Sequence, residues 1–349
     1  MIPSPARFRR ALLAWHKLHG RHDLPWRGRH DPYGVLVSEF MLQQTTVATV
    51  LPYYRRFLRA FPTLGKLAEA PLERVLELWS GLGYYARARN LHSTAKIVVL
   101  KYDGRFPESR EEIETLPGVG PYTAGALLSF IHDKPEALVD GNVERVLARI
   151  WGISGDVKSP RIRKRIWALA RRLVPPSGGR LFNAALMDLG SLVCRPAAPD
   201  CPACPFRRSC RARALGRQEV LPASAADRPR KRIVLHAGLL RRGRSWVMTR
   251  RPAGGLYGGL WEFPSLEFPA ETSVGRIEKA LGARLRTRVA LEKRFPPVFH
   301  TLSHREMKVI PWIGRADDRG TPVGLFPRLR IARSAVSSLT RKLAGLLPD

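Results

Sequence analysis

All four cysteines of the chain fall between residues 194 and 210, as Cys194, Cys201, Cys204 and Cys210 in CRPAAPDCPACPFRRSC. The spacing is C-x6-C-x2-C-x5-C, so one CxxC pair stands between two single cysteines. Disulfides need an oxidising compartment. The N-terminal MIPSPARFRRALLAW lacks the apolar stretch before a small-residue cleavage site that marks a secretory signal. Tetrahedral zinc takes four thiolates, but zinc sites usually bring two CxxC knuckles across a longer loop. A 4Fe-4S cubane takes one thiolate at each iron, so uneven spacing suits it. Spacing favours the cluster and leaves zinc as the alternative. Arg195, Arg207, Arg208 and Arg211 supply positive charge to offset a cluster's negative charge.

Charge is the second constraint. Against 29 acidic residues stand 60 basic ones, giving a net charge of +31 and a pI near 11.2. Such a surplus fits a polyanionic partner, most often nucleic acid. It is uneven: residues 101–150 hold 6 basic and 9 acidic residues, residues 201–250 hold 13 and 2. Basic character therefore begins near the cysteines. A length of 349 residues suggests two domains, and no apolar run is long enough to predict a membrane span.

Apolar residues recur with helical period over 6–18, 35–60, 71–79, 85–101, 121–131, 143–151, 161–173 and 181–193. Prolines and glycines punctuate the gaps. Beyond about residue 232 the pattern alternates. RIVLHAGLL and SWVMTR flank Arg241-Arg242-Gly243 as a hairpin, KRFPPVFH and MKVIPWIG read as further strands, and TSVGRIEKALGARL as a helix. A polar stretch without apolar period at 216–231 reads as a linker.

Residues 108–131, ESREEIETLPGVGPYTAGALLSF, place a Glu-rich helix before a glycine hairpin containing Gly118 and Gly120. A second helix begins at Pro121, a favoured first-turn residue. Backbone N–H groups at such a helix start can hold a phosphate without reading sequence. An ordinary helix–helix turn has the same signature when it stands alone.

LPGVGPYTAGALLSF, then VDGNVERVLAR, then the four cysteines, resembles the endonuclease III superfamily of base-excision DNA glycosylases across residues 1–215. VSEFMLQQTTV and GLGYYARARNLH resemble in particular its adenine-specific MutY family. The resemblance implies an all-helical domain of two subdomains. One is a six-helix barrel over about 20–134. The other is an iron-sulfur cluster subdomain built from the N-terminus and 135–215. Duplex DNA would lie across the cleft with the target base flipped out. It also implies a 4Fe-4S cofactor on the four cysteines.

The same resemblance assigns site residues. Tyr122 stands where bifunctional relatives carry a lysine nucleophile, and a phenol forms no Schiff base with the sugar. A monofunctional glycosylase is therefore expected. Glu39 is the candidate general acid for the departing adenine, its pKa raised by a desolvated pocket. Asp140 is the candidate stabiliser or nucleophile toward the oxocarbenium sugar, as carboxylates divide this labour in glycoside hydrolysis. Tyr122 and Asn142 would position this centre, and Arg27, with Trp26 nearby, would line the adenine pocket. Gln43, Gln44, Leu82 and Tyr84 would contact DNA or fill the vacated stack. Without the resemblance, Asp140 or Asn142 serves equally as an N-cap for the helix at 143–151, Glu39 as a surface carboxylate, and Tyr84-Tyr85 as core.

GGLYGGLWEFPSLE at 254–267 resembles the opening of a Nudix-type domain found at the C-terminus of the adenine glycosylases. A hydrolytic Nudix helix gathers Mg2+ through several carboxylates, whereas TSVGRIEKALGA offers only Glu278. Recognition rather than pyrophosphate hydrolysis is the expectation. The family's Phe-Ser-His loop for 8-oxoguanine is matched by Leu302, Ser303 and His304, with leucine in place of the aromatic.

The expected fold class is therefore α + α/β. An all-helical glycosylase domain occupies 1–215, with the cluster loop at 194–210. A linker follows at 216–231, and a Nudix-like α/β domain at 232–349. The expected activity is hydrolysis of adenine from mispairs with 8-oxoguanine or guanine, by a monomer with no membrane association, in the bacterial cytoplasm near the nucleoid. Two rivals remain. One is a thymine glycosylase for G:T mismatches on the same scaffold. The other is a catalytically silent DNA-binding or redox-signalling protein.

Overall fold

The computed structural model describes residues 2–27, 31–223, 229–317 and 324–348. The chain up to residue 223 is helical: α1 Pro5–His19, α2 Pro32–Leu42, α3 Val47–Ala60, α4 Leu64–Glu69, α5 Leu72–Trp79, α6 Ala86–Tyr102, α7 Arg110–Glu114, α8 Pro121–His132, α9 Gly141–Trp151, α10 Pro160–Leu173, α11 Gly179–Asp188 and α12 Arg211–Ala214. A π-helical turn, Leu189–Val193, extends α11 toward the first cysteine. The strands are β1 Lys231–Arg242, β2 Ser245–Arg250, β3 Trp261–Glu262, β4 Ser265–Glu267, β5 Val289–Arg294, β6 Val298–Thr301, β7 Arg305–Ala316 and β8 Gly324–Phe326. Helix α13 (Val274–Leu285) precedes β5, and α14 (Arg328–Ile331) and α15 (Ser338–Ala344) follow β8.

Two compact units result. The first comprises Met1–Thr46, Thr63–Ala68 and Ser93–Ala226; the second comprises Val47–Pro62, Glu69–His92 and Asp227–Asp349. Residues 47–62 and 69–92, read from sequence as part of the N-terminal domain, thus gather with the C-terminal residues.

In the first unit, Phe8 and Leu12 of α1 pack with Val146 and Leu147 of α9, Phe182 and Leu186 of α11, and Phe206 of the cysteine loop. Phe8 stacks on Phe206 with ring centroids 4.5 Å apart. Helix α2 is buried from Tyr33 to Met41 on every face, as expected of a helix apolar all round. The continuous helix expected over 35–60 is instead broken. Gln43 ends α2 and Gln44 adopts a left-handed φ of 57°. A short part of the expected linker is packed: Leu221 is buried, and Val157 N–H donates to the Ala223 carbonyl at 3.0 Å. Residues 224–228 of that linker lie outside the described residues.

The second unit is built on a mixed sheet in the order β3-β2-β1-β7-β5, with β4 on β1, β6 on β7 and β8 on β2. Its axis is the parallel pair β1 and β7, in register from Lys231↔Arg305 to Arg241↔Arg315. The expected hairpin closes with Arg242 opposite Ser245. That leaves a two-residue turn in which Gly243 takes a positive φ of 56°. KRFPPVFH is two strands, not one. β5 ends at Arg294 and β6 begins at Val298, because Pro296 and Pro297 between them have no N–H for a ladder. Helix α13 covers one face through Ile277, Leu281 and Leu285. Among the described residues no helix is long and apolar enough to cross a membrane.

Candidate active site

Helix α2 carries Glu39 into the first unit, where the residue is 4 % exposed. Helix α8 begins with Gly120 as N-cap and Pro121 at its first position, which sets Tyr122 facing α2. The Tyr122 hydroxyl donates to Glu39 Oε2 at 3.0 Å. Burial drives the Glu39 pKa up to about 7; the tyrosine donor and the Arg27 charge lower it, and the Asp140 charge raises it. The same burial, with both carboxylates close, pushes the Tyr122 phenol well above its ordinary value. A carboxyl held near neutrality can both give and accept a proton at physiological pH.

Asp140 is the N-cap of α9. Its Oδ1 accepts from Val143 N–H at 2.7 Å and its Oδ2 from Asn142 Nδ2 at 2.8 Å. The capping role read from sequence is therefore present, and the cap fixes a carboxylate that bears electrostatically on Glu39. Asn142 Oδ1 in turn accepts from Arg145 at 2.8 Å.

Arg27 is anchored by a residue that sequence reasoning missed. Asp188, at the end of α11 and fully buried, receives both Arg27 terminal nitrogens, Arg21 Nε at 2.7 Å and the Arg21 N–H at 2.9 Å. His16 Nε2 lies 3.2 Å from it. Burial alone would raise the Asp188 pKa. Hydrogen bonds from His16 and Arg27, with the arginine charge, overcome burial and hold it well below the carboxylate range. Gln43 Nε2 donates to Thr123 Oγ1 at 3.3 Å beside Tyr122, and Gln44 is exposed. In the hairpin, Gly118 takes φ 76°. Gly120 caps α8 without a side chain and has open space around its Cα.

The four cysteines line one cavity with Val146, Ile150, Arg149 and Arg213, and none is in a disulfide. Burial pushes the Cys204 thiol up to about 12, and the neighbouring thiols add to the rise. The donor set is thus four soft sulfurs with cations beside them, which fits an anionic iron-sulfur cluster. Among the described residues, no three His, Cys, Asp or Glu side chains are grouped as for a single ion. Sequence neighbours suggested Arg195, Arg207, Arg208 and Arg211 as the counter-charges. Of these only Arg207 lines the cavity. Arg195 turns to the Ala198 carbonyl, and Arg211 packs against Gly152. The buried counter-charge comes from α9. Arg149 donates to Cys194 Sγ at 3.4 Å and to the Arg195, Pro196 and Leu221 carbonyls. Arg145 donates to the carbonyls of Cys194, Gly141 and Gly190. Their helical spacing resembled ordinary amphipathic polar positions.

In the second unit, Tyr84 is 47 % exposed with a left-handed φ of 47°, while Leu82 and Tyr85 are buried. Leu82 therefore offers little surface to a partner. Leu302, Ser303 and His304 form the tip between β6 and β7, closed by Leu302 N–H to the Arg305 carbonyl at 2.8 Å. Ser303 and His304 are exposed, whereas Leu302 packs against the core of this unit. Glu278 is committed to the Leu291 N–H at 2.7 Å.

A family model described as HhH-GPD superfamily base excision DNA repair protein matches residues 37–172, and a NUDIX domain model matches 236–344. An adenine DNA glycosylase of Buchnera aphidicola subsp. Baizongia pistaciae is 44 % identical over 204 residues, covering 58 % of each chain. The adenine DNA glycosylase of Homo sapiens is 35 % identical over 382 residues, covering 92 % of this chain and 69 % of its own length. The chain thus spans little more than half to two thirds of these relatives. A solved thermostable thymine-DNA glycosylase superposes with a TM-score of 0.55 at 32 % identity, over 60 % of this chain and 97 % of that one.

Proposed function

Because the chain belongs to the adenine DNA glycosylase family of the HhH-GPD superfamily, we propose that it excises adenine from duplex DNA where adenine stands opposite 8-oxoguanine or guanine. The buried Glu39, hydrogen-bonded to Tyr122 and poised near neutral pH, carries this reading. Glu39 protonates the departing adenine as the N-glycosidic bond breaks toward the base. Asp140, fixed by Val143 and Asn142, faces the positive charge that grows on the sugar. Water then adds at the sugar carbon and returns a proton to Glu39. Tyr122 holds the acid and cannot form an imine, so the strand stays intact after base loss. Arg27, held by Asp188, lines the base pocket.

DNA contacts are assigned to the Gly118–Gly120 hairpin, whose open helix start suits a phosphate, and to exposed Gln44 and Tyr84. Ser303 and His304 at the β6–β7 tip are assigned to the partner base. Leu302 supports that tip from within. Cys194, Cys201, Cys204 and Cys210 would hold a 4Fe-4S cluster. When bound, the cluster cross-links the loop and adds a charge that Arg149 and Arg213 meet. We place the enzyme as a monomer with the chromosome in the cytoplasm.

The thymine-DNA glycosylase match supports a second reading, thymine release from G:T. That match covers 60 % of the chain, and the NUDIX domain at 236–344 favours the first. Duplexes carrying A opposite 8-oxoguanine and T opposite G separate the two. Adenine release, with strand breaks only after alkali and heat, is expected. Thymine release, spontaneous breaks or full activity in Glu39→Gln would overturn the assignment.

A further inference from the structure

The turn that displays Tyr84 is built around one backbone carbonyl far along the chain. In the second unit, Val336 sits in the short link between α14 and α15, fully buried. Its carbonyl accepts from Ser80 Oγ at 2.6 Å and from the Tyr85 hydroxyl at 3.0 Å. Those two side chains bracket residues 81–84. Arg341 of α15 donates to Ser80 Oγ at 2.9 Å, and the Tyr85 hydroxyl accepts the Gly81 N–H at 3.2 Å. Both lone pairs of the carbonyl and both hydroxyl protons are used, so the buried network is closed and specifies one geometry. Gly81 has a φ of 103°, and a Cβ there would lie 2.4 Å from the Tyr53 hydroxyl oxygen and 3.3 Å from Arg341 Nη1. The link itself is fixed by the Trp261 N–H, which donates to the Ala335 carbonyl at 2.9 Å.

The outer side of the turn is held separately. The Arg87 guanidinium lies 5.4 Å from the Tyr84 ring centroid and 5.4 Å from that of Trp79. Arg87 Nη2 and Trp79 Nε1 both donate to the Gly83 carbonyl, each at 3.1 Å. A tyrosine left half exposed at a positive φ costs backbone energy that its surroundings must over-determine.

We propose that the C-terminal residues Val336 and Arg341 position Tyr84 for its contact with DNA, by locking the 80–85 turn through the Ser80 and Tyr85 hydroxyls. The domain that recognises the partner base would then also set the wedge. This rests on the reading of Tyr84 as a DNA-contacting residue, and the test separates the two.

The experiment is a double-mutant cycle on the full chain, measuring affinity for a duplex with A opposite 8-oxoguanine and single-turnover adenine release. One arm is Ser80→Ala with Tyr85→Phe, which removes both hydroxyls and keeps the packing. The other arm is Tyr84→Ala. The hydroxyl pair is expected to weaken DNA affinity about tenfold in the Tyr84 background, the scale of hydrogen bonds lost from a buried network, and less than about twofold once Tyr84 is alanine, because coupled residues are non-additive. A general loss of stability would weaken both backgrounds alike, and that outcome overturns the proposal. Unchanged affinity in the Tyr84 background also overturns it. If Tyr84→Ala alone leaves affinity and release unchanged, the reading of Tyr84 falls, and this proposal with it.

Discussion

The Tyr122 hydroxyl stands 3.0 Å from the Glu39 carboxylate across 83 positions of sequence, and it works against burial. Burial raises the Glu39 pKa and the tyrosine donor lowers it, with the balance at about 7. Tyr122→Phe removes the lowering contribution. A hydrogen bond to a charged group is worth about 1.5–3 kcal/mol, or roughly one to two pKa units. The basic limb of the pH–rate profile is expected to move up by about that much. The plateau rate should fall about tenfold as the acid loses its orientation. Single-turnover adenine release from pH 5 to 10 checks both, and a limb that moves to lower pH would refute the arrangement.

Glu39 should cost stability where it is charged. Its folded pKa lies above the ordinary value of 4.5, so folding favours the protonated form. The penalty is absent below about pH 4.5, grows as pH rises, and is complete above about 7. Glu39→Gln is therefore expected to be more stable than the parent at pH 8, by on the order of 1–3 kcal/mol, and of similar stability at pH 4.5. Release of adenine should be abolished at both. Paired melting curves at the two pH values decide it, and a variant less stable at pH 8 would count against a desolvated acid.

Arg145 joins two regions that read as separate in the sequence. One guanidinium reaches Asn142 Oδ1 beside Asp140 and the Cys194 carbonyl at the cysteine loop, as well as Gly141 and Gly190. Arg145→Met removes four hydrogen bonds, one buried and three part-buried, and is expected to destabilise by about 3 kcal/mol. Arg145→Lys should rescue little, since an ammonium cannot span a fork of acceptors. Thermal melting, with iron and sulfide content alongside, tests this. A lysine variant with parental stability and adenine release would show that the fork is dispensable.

What was legible from sequence follows the locality of each signal. The cysteine spacing, the glycine hairpin before Pro121 and the Asp140 cap are local patterns, and each appears at its expected place. Glu39 was legible only through its resemblance. Once α2 is seen to be buried on all faces, its acid must be desolvated. The break at Gln43–Thr46 was missed because no glycine or proline marks it; Gln44 takes the left-handed conformation instead. Arg145, Arg149 and Asp188 were missed for a different reason. Each has partners that lie 45 or more positions away, and on a helix such residues have the same period as solvent-facing polar ones. The pairing of Ser80 and Tyr85 with Val336 is of the same kind, a tertiary contact with no periodic signature.

Asp188 gives the sharpest case for Arg27. Its carboxylate is fully buried and accepts from Arg21 and Arg27, whose side chains are 22 % and 17 % exposed. Its folded pKa is held below the ordinary value, so its stabilising contribution is present above about pH 4 and is lost on acidification through the folded pKa. Asp188→Asn leaves two cations without their counter-charge. The expected cost at pH 7 is about 3–5 kcal/mol, the usual penalty for breaking a buried pair from one side, and the gap to the parent should narrow below pH 4. Freed from its anchor, Arg27 should also lose the place proposed for it at the base pocket, so that adenine release slows at least about tenfold in protein that remains folded. Combining Asp188→Asn with Arg27→Ala isolates that route. The double variant should release adenine no more slowly than Arg27→Ala alone, and a further drop would mean that Asp188 acts on excision by some path other than Arg27.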